Sequence, residues 1–107
     1  MTLYIDTANG EDIFLALRRG DIEIDAVRVL ARQEQAEKLL PTLEKLLKKN
    51  KSKLSDLKKI EVNNNGDSFT ALRIGVVTAN ALAYALKIPV NDSTMVKPIY
   101  NREANIG

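Results

Sequence analysis

The sequence predicts an α/β domain with a mixed five-stranded sheet and two long helices, in the order βββαβαβ. Three observations carry this. Apolar and polar residues alternate as far as Leu30, interrupted by turn formers at 7–10 and 18–21. The apolar period then changes to three and four residues, first around 33–49 and again around 68–87. A short apolar segment, Ile88-Pro89-Val90, follows, where a right-handed crossover returns a parallel strand.

Leu3-Tyr4-Ile5-Asp6 reads as the first strand, and Thr7-Ala8-Asn9-Gly10 as the turn after it. Ile13 to Leu17 is the second, closed by Arg18-Arg19-Gly20-Asp21. The third begins at Ile22, with Ile24 and Ala26 set against Glu23 and Asp25. Val27 and Val29 shift the phase, which predicts a bulge or bend near Ala26. Tight turns between three strands imply an antiparallel meander.

Ala36, Leu39, Leu40, Leu43, Leu46 and Leu47 form one apolar stripe of a first helix, and Pro41 inside it predicts a kink or a later start. Lys58 to Val62 is the fourth strand and Asn63 to Asp67 a loop. Asp67 or Ser68 is placed to cap the second helix, which runs to about Lys87. This order, with helices covering a mixed sheet, is that of ribonuclease-H-like domains. Residues 1–93 are expected to form the domain, and 94–107 an irregular polar tail.

A chain of 107 residues has room for a single core. It contains no Cys and no His, which excludes disulfides, thiol nucleophiles, histidine acid/base chemistry and Cys/His metal sites. No apolar run is expected to approach a membrane span and no secretory signal opens the chain, so the cytoplasm is the expected compartment. Lys48, Lys49, Lys51, Lys53, Lys58 and Lys59 make the chain mildly basic, at net +2. They read either as a solvated turn or as a contact for an RNA backbone.

Phe69, Leu72, Val76, Ala79, Ala83 and Leu86 form one apolar stripe of the second helix, and Ile74, Val77, Ala81 and Tyr84 a second. A helix apolar on two sides needs two coverings, the sheet and either the first helix or another chain. Asp6, Thr7 and Gly10, with Ser68, Thr70 and Arg73 at the start of that helix, form a candidate phosphate cradle. Hairpin geometry and helix capping are the alternatives. Asp6 is well placed for the two metal ions of a nuclease, but Asp12 and Glu61, the only other plausible members, have no compelling position.

Ser68-Phe69-Thr70-Ala71-Leu72-Arg73-Ile74-Gly75 closely resembles the Ser-Phe-Thr-Gly-Leu-Arg-Ile-Gly signature of the TsaB (YeaZ-like) family. Ile5-Asp6-Thr7, Glu37 to Pro41, Leu54 to Leu57 and Ile88-Pro89-Val90 follow in family order, so the resemblance spans roughly residues 3 to 93. Val96 to Arg102 resembles a C-terminal Pro-x-Tyr-x-Arg segment. Asn63 to Asp67 stands in place of a glycine-rich stretch, Ala71 in place of a glycine, and Gln35-Ala36 in place of His-Ser. These departures make close approach to a ligand less expected.

The resemblance implies the first, actin/sugar-kinase-type domain of such a protein, without the second. It implies no cofactor, no metal and no catalysis by this chain. The implied role is a scaffold in tRNA threonylcarbamoyladenosine formation, paired through its helices with TsaD, which transfers the threonylcarbamoyl group. A TsaE-like ATPase joins that assembly, and tRNA is touched only indirectly. The expected partner contacts are Leu39, Leu43, Leu72, Gly75, Val76, Ala79 and Ala83, with Ala79→Arg expected to break pairing and spare the fold. A homodimer through the same helices and a small nucleotide-binding protein using Asp6 and the 63–67 loop are the alternatives.

Overall fold

The computed structural model describes residues 1–100. Its elements are β1 (Thr2–Asp6), β2 (Asp12–Arg19), β3 (Ile22–Leu30), α1 (Gln35–Lys49), β4 (Lys59–Val62), β5 (Asn65–Gly66), α2 (Phe69–Leu86) and β6 (Ile99–Tyr100), with a 3₁₀ turn at Leu54–Asp56. The main sheet has the order β3-β2-β1-β4. β1 runs antiparallel to β2 and parallel to β4. Alternation divides its two sides. Leu3, Ile5, Ile13, Leu15, Leu17 and Ile60 are fully buried beneath the helices, whereas Tyr4, Asp6, Phe14, Arg18 and Glu61 are only half-buried on the other side.

The meander is as expected, with one shift. Leu17 lies opposite Asp25 and Arg18 opposite Glu23, so the extra residue of the bulge is Ile24, two positions before the one expected. α1 continues through Pro41, whose ring sits on the solvent side. Its stripe is narrower than expected. Leu39, Leu43, Leu46 and Leu47 are buried, whereas Ala36 and Leu40 face outward.

The expected fifth strand is reduced to one residue. Val90 bridges Ile60 in parallel, with Ile60 N donating to Pro89 O (2.9 Å) and Asn91 N to Ile60 O (2.8 Å). Asn91 and Asp92 then turn the backbone into the left-handed region (φ 48° and 60°), which ends the extended run. The Asn91 side chain continues the ladder instead. Its Oδ1 accepts from Val62 N (2.8 Å) and its Nδ2 donates to Val62 O (3.0 Å). The main sheet therefore has four strands and a bridge among the described residues, not five strands.

Within the expected tail, the described residues 94–100 make specific contacts. The Asn80 amide on α2 pairs with both backbone groups of Val96 (2.8 and 2.9 Å), and Asn64 bonds Lys97 O (3.0 Å) and Ile99 N (2.6 Å). β6 then lies parallel to β5. Of the 96–102 segment, Asn101 and Arg102 lie outside the described residues.

α2 departs from expectation at its start. Ser68 is the N-cap residue by backbone angles (φ −96°, ψ 99°), but its side chain makes no capping bond. At the other end Lys87 takes the left-handed conformation (φ 58°), and Ile88 N bonds Ala83 O (3.0 Å). Phe69–Leu86 is long and apolar enough to cross a membrane by length and composition, contrary to the expectation that no run approaches a span. Leu72, Val76, Ala79 and Ala83 on this helix are buried in the core shared with the sheet, the placement of a core helix.

Candidate docking face and the loop cluster at the start of α2

Residues 7–10 are wedged between the starts of both helices. Thr7 is 1% exposed; its Oγ1 donates to Ala71 O (2.5 Å) and accepts from Gly75 N (3.2 Å). A Cβ on Gly75 would stand 2.6 Å from that oxygen. The small residue in the signature therefore admits this chain's own β1 end, not a partner's backbone. Gly10 has φ +78°, and a Cβ there would stand 2.9 Å from Ser68 Oγ. Gln35, 3% exposed, donates from Nε2 to Gly10 O (2.7 Å).

Asp6 is occupied by neutral donors. Its Oδ1 accepts from Ala8 N (2.9 Å) and its Oδ2 from Asn63 Nδ2 (3.3 Å) and Tyr4 OH (3.4 Å). Burial, the Asp6 charge and this hydrogen bond push the Tyr4 hydroxyl above its ordinary value, with Arg18 acting in the opposite sense. Asp6, Thr7 and Gly10 thus gather with Ser68 in a packed turn in which the Asp6 and Thr7 side chains are already engaged. Thr70 and Arg73 stand apart on the outer side of α2, where the Arg73 guanidinium lies 5.4 Å over the Phe69 ring. The six candidate phosphate residues do not form one cradle. Asp12 pairs with Arg28 (3.0 Å), and Glu61 with Arg18 and with Lys59 (3.5 Å).

The seven expected partner contacts are all buried within this chain. Leu39, Leu43, Leu72, Val76, Ala79 and Ala83 are 0–2% exposed in the central core, and Gly75 is buried against Thr7. The sheet and α1 cover this stripe, so it offers no surface to another molecule. For the same reason Ala79→Arg would not leave the fold intact.

The other stripe is the exposed one. Tyr84 is 87% exposed, Val77 59% and Phe69 44%. Ala81 is open and Ile74 half-buried between them. Phe69, expected on the core stripe, is the first residue of the helix and stands outward. A depression of about 410 Å³ lies here, with Ala36 of α1 on one side and Phe69, Arg73, Ile74 and Val77 on the other. The buried Gln35 and the half-buried Asn80 and Asn91 carry no periodic signal, since a lone amide looks the same in a loop as in a brace.

On the outer side of the sheet the arrangement is different. The rings of Tyr4 and Phe14 meet edge to face, 6.1 Å apart, with Arg18 over Tyr4 (5.7 Å) and Arg28 over Phe14 (4.7 Å). Each guanidinium is also paired with a carboxylate, and Lys59 with Asp92 (2.8 Å).

Comparison with known proteins follows the same lines. The chain is 34% identical over 89 residues to the tRNA threonylcarbamoyladenosine biosynthesis protein TsaB of Bacillus subtilis, a match that covers 83% of this chain and 38% of the relative. The solved structure of YeaZ from Pseudomonas aeruginosa superposes with a TM-score of 0.76 at 28% identity, over 83% of this chain and 41% of the other. A second structure, described as an uncharacterized protein with similarity to peptidase YEAZ from Pseudomonas aeruginosa, gives a TM-score of 0.76 at 25% identity, over 92% and 42%. The chain thus spans less than half the length of these relatives. The family model described as TsaD, tRNA N6-adenosine threonylcarbamoyltransferase, matches residues 27–92, well over half of the chain. The chain belongs to this family, as a TsaB/YeaZ-like member of it.

Proposed function

We propose that this protein acts in threonylcarbamoylation of tRNA adenosine as a non-catalytic subunit, docking onto a TsaD-like partner through the outer face of α2. The carrying observation is the second apolar stripe, with Val77 59% and Tyr84 87% exposed beside a stripe that is fully buried. A solvent-facing helix side normally carries charge, and here Arg73 is the one charged residue of 69–86. The absence of Cys and His from the sequence supports a supporting role, with group transfer done by the partner. A TsaE-like ATPase and tRNA would then meet the assembly through that partner, in the cytoplasm.

Co-purification of the full chain with the cognate TsaD-like protein tests this. Val77→Arg, at an exposed position, is expected to abolish the complex while shifting the melting temperature by no more than about 4 °C. A Val77→Arg protein that co-purifies like the wild type would show that docking occurs elsewhere. Self-association lost in Val77→Arg, with no binding to TsaD, would turn the reading toward a homodimer.

A further inference from the structure

We infer that the groove between the C-terminal half of α1 and residues 51–54 docks a short peptide segment whose apolar side chains are flanked by carboxylates. The groove has a volume of about 610 Å³. Leu43 and Leu47 belong to its wall from the core side, while Leu40 and Leu54 are 53% and 42% exposed. Leu54 is held there by the 3₁₀ turn, in which Leu57 N bonds Leu54 O (3.0 Å) and Lys53 N bonds Asp56 Oδ2 (2.8 Å). An apolar anchor the size of leucine therefore has a fixed receptor.

Charge selects the partner. Lys48, Lys51 and Lys53 line the groove against a single carboxylate, Glu44. Among the described residues none of these lysines lies within ion-pair distance of an acid, whereas Lys38, Lys49 and Lys59 all do. Lys48 also sits at the negative end of the α1 dipole, but Lys51 and Lys53 lie beyond the helix, where the left-handed turn at Lys51 (φ 53°) redirects the chain. Apolar wall and surplus cations match an acidic amphipathic segment. RNA is disfavoured because bases need an aromatic ring or a guanidinium to stack on, and the groove is lined by neither. Its lining shares no residue with the α2 outer depression, so this site stands or falls independently of TsaD pairing.

The test is an amide-resonance titration of the full chain with three probes: a short peptide alternating leucine and glutamate, its serine/glutamate counterpart, and oligouridylate. The leucine/glutamate peptide is expected to shift residues 40–54 selectively. Lys48→Glu/Lys51→Glu and Leu54→Ser, all at exposed positions, should each weaken it about tenfold, and added salt should weaken it further. Three results would overturn the assignment: no shift with this peptide, equal binding of the serine/glutamate peptide, or unchanged binding by both variants. Oligouridylate shifting the same residues more strongly would instead assign the groove to RNA.

Discussion

The outer side of the sheet and the outer side of α2 are both turned to solvent, yet they are built on opposite plans. On the sheet, Arg18 and Arg28 each cover a ring and pair with a carboxylate, so charge and aromatic surface are matched internally. On α2, Val77, Ala81 and Tyr84 present apolar area, with Arg73 over Phe69 the nearest comparable contact. A surface that satisfies itself has little to gain from a partner. The contrast supports the helix as the proposed docking face, and it can be broken from several directions.

The largest effect is expected within α2. Ala79→Arg puts an unpaired charge at a fully buried position and should cost about 4 kcal/mol or more, enough to unfold much of the population. Val77→Arg, two residues earlier, should change stability by only about 0.5 kcal/mol while removing pairing. Urea unfolding of both variants beside the co-purification assay separates the two sides.

Gly75→Ala comes next. Its Cβ would meet Thr7 Oγ1 at 2.6 Å, and the overpacking should cost about 1–3 kcal/mol. The double change with Thr7→Ala removes the obstruction along with two hydrogen bonds. A double-mutant cycle should therefore show strong non-additivity. Additive losses would mean that Thr7 and Gly75 do not share a contact.

On the sheet side, Arg28→Ala should cost no more than about 1 kcal/mol, since its ion pair with Asp12 is solvent-screened, and should leave pairing with TsaD untouched. Loss of pairing would move the docking face to the sheet.

The smallest effect concerns Asp25, which joins β3 to the end of α1. The Asn50 amide (2.9 Å), the Ala26 N–H (2.8 Å) and the Lys49 ammonium (3.3 Å) hold its carboxyl below the usual value of 3.8. Because the folded value is the lower one, its stabilisation is present above the unfolded value and lost as pH falls through the folded one. Asp25→Asn should flatten the acid limb of the stability profile below about pH 4 and leave the neutral region almost unchanged.

Periodicity carried much of this into the sequence. Alternation revealed β1 to β3, and the three-four period revealed both helices, because each reports which side of an element meets the core. It could not say which α2 stripe was the covered one. That depends on Thr7 reaching across to Gly75, a contact between residues 68 positions apart. The expected partner contacts accordingly fall on the covered side. Asp6 stands in the sequence as both a hairpin residue and a candidate phosphate ligand, because an Asp before a turn looks alike in both roles. Its engagement by Asn63 is visible only once β1 and β4 lie side by side. The short fifth strand hinged on Asn91, whose left-handed backbone nothing in the local pattern announces.

That asparagine has a consequence beyond closing a turn. β4 is the last full strand on its side of the sheet, and a bare strand there would offer donors and acceptors to any extended chain, the usual route to edge-to-edge association. The Asn91 amide satisfies both backbone groups of Val62 without supplying a backbone ladder of its own, so the sheet ends in a side chain that no further strand can extend. At the opposite edge the bulge at Ile24 breaks the register that a neighbouring strand would need. Strand addition is thus blocked at Val62 and put out of register at Ile24, which agrees with the proposal that association runs through the helices.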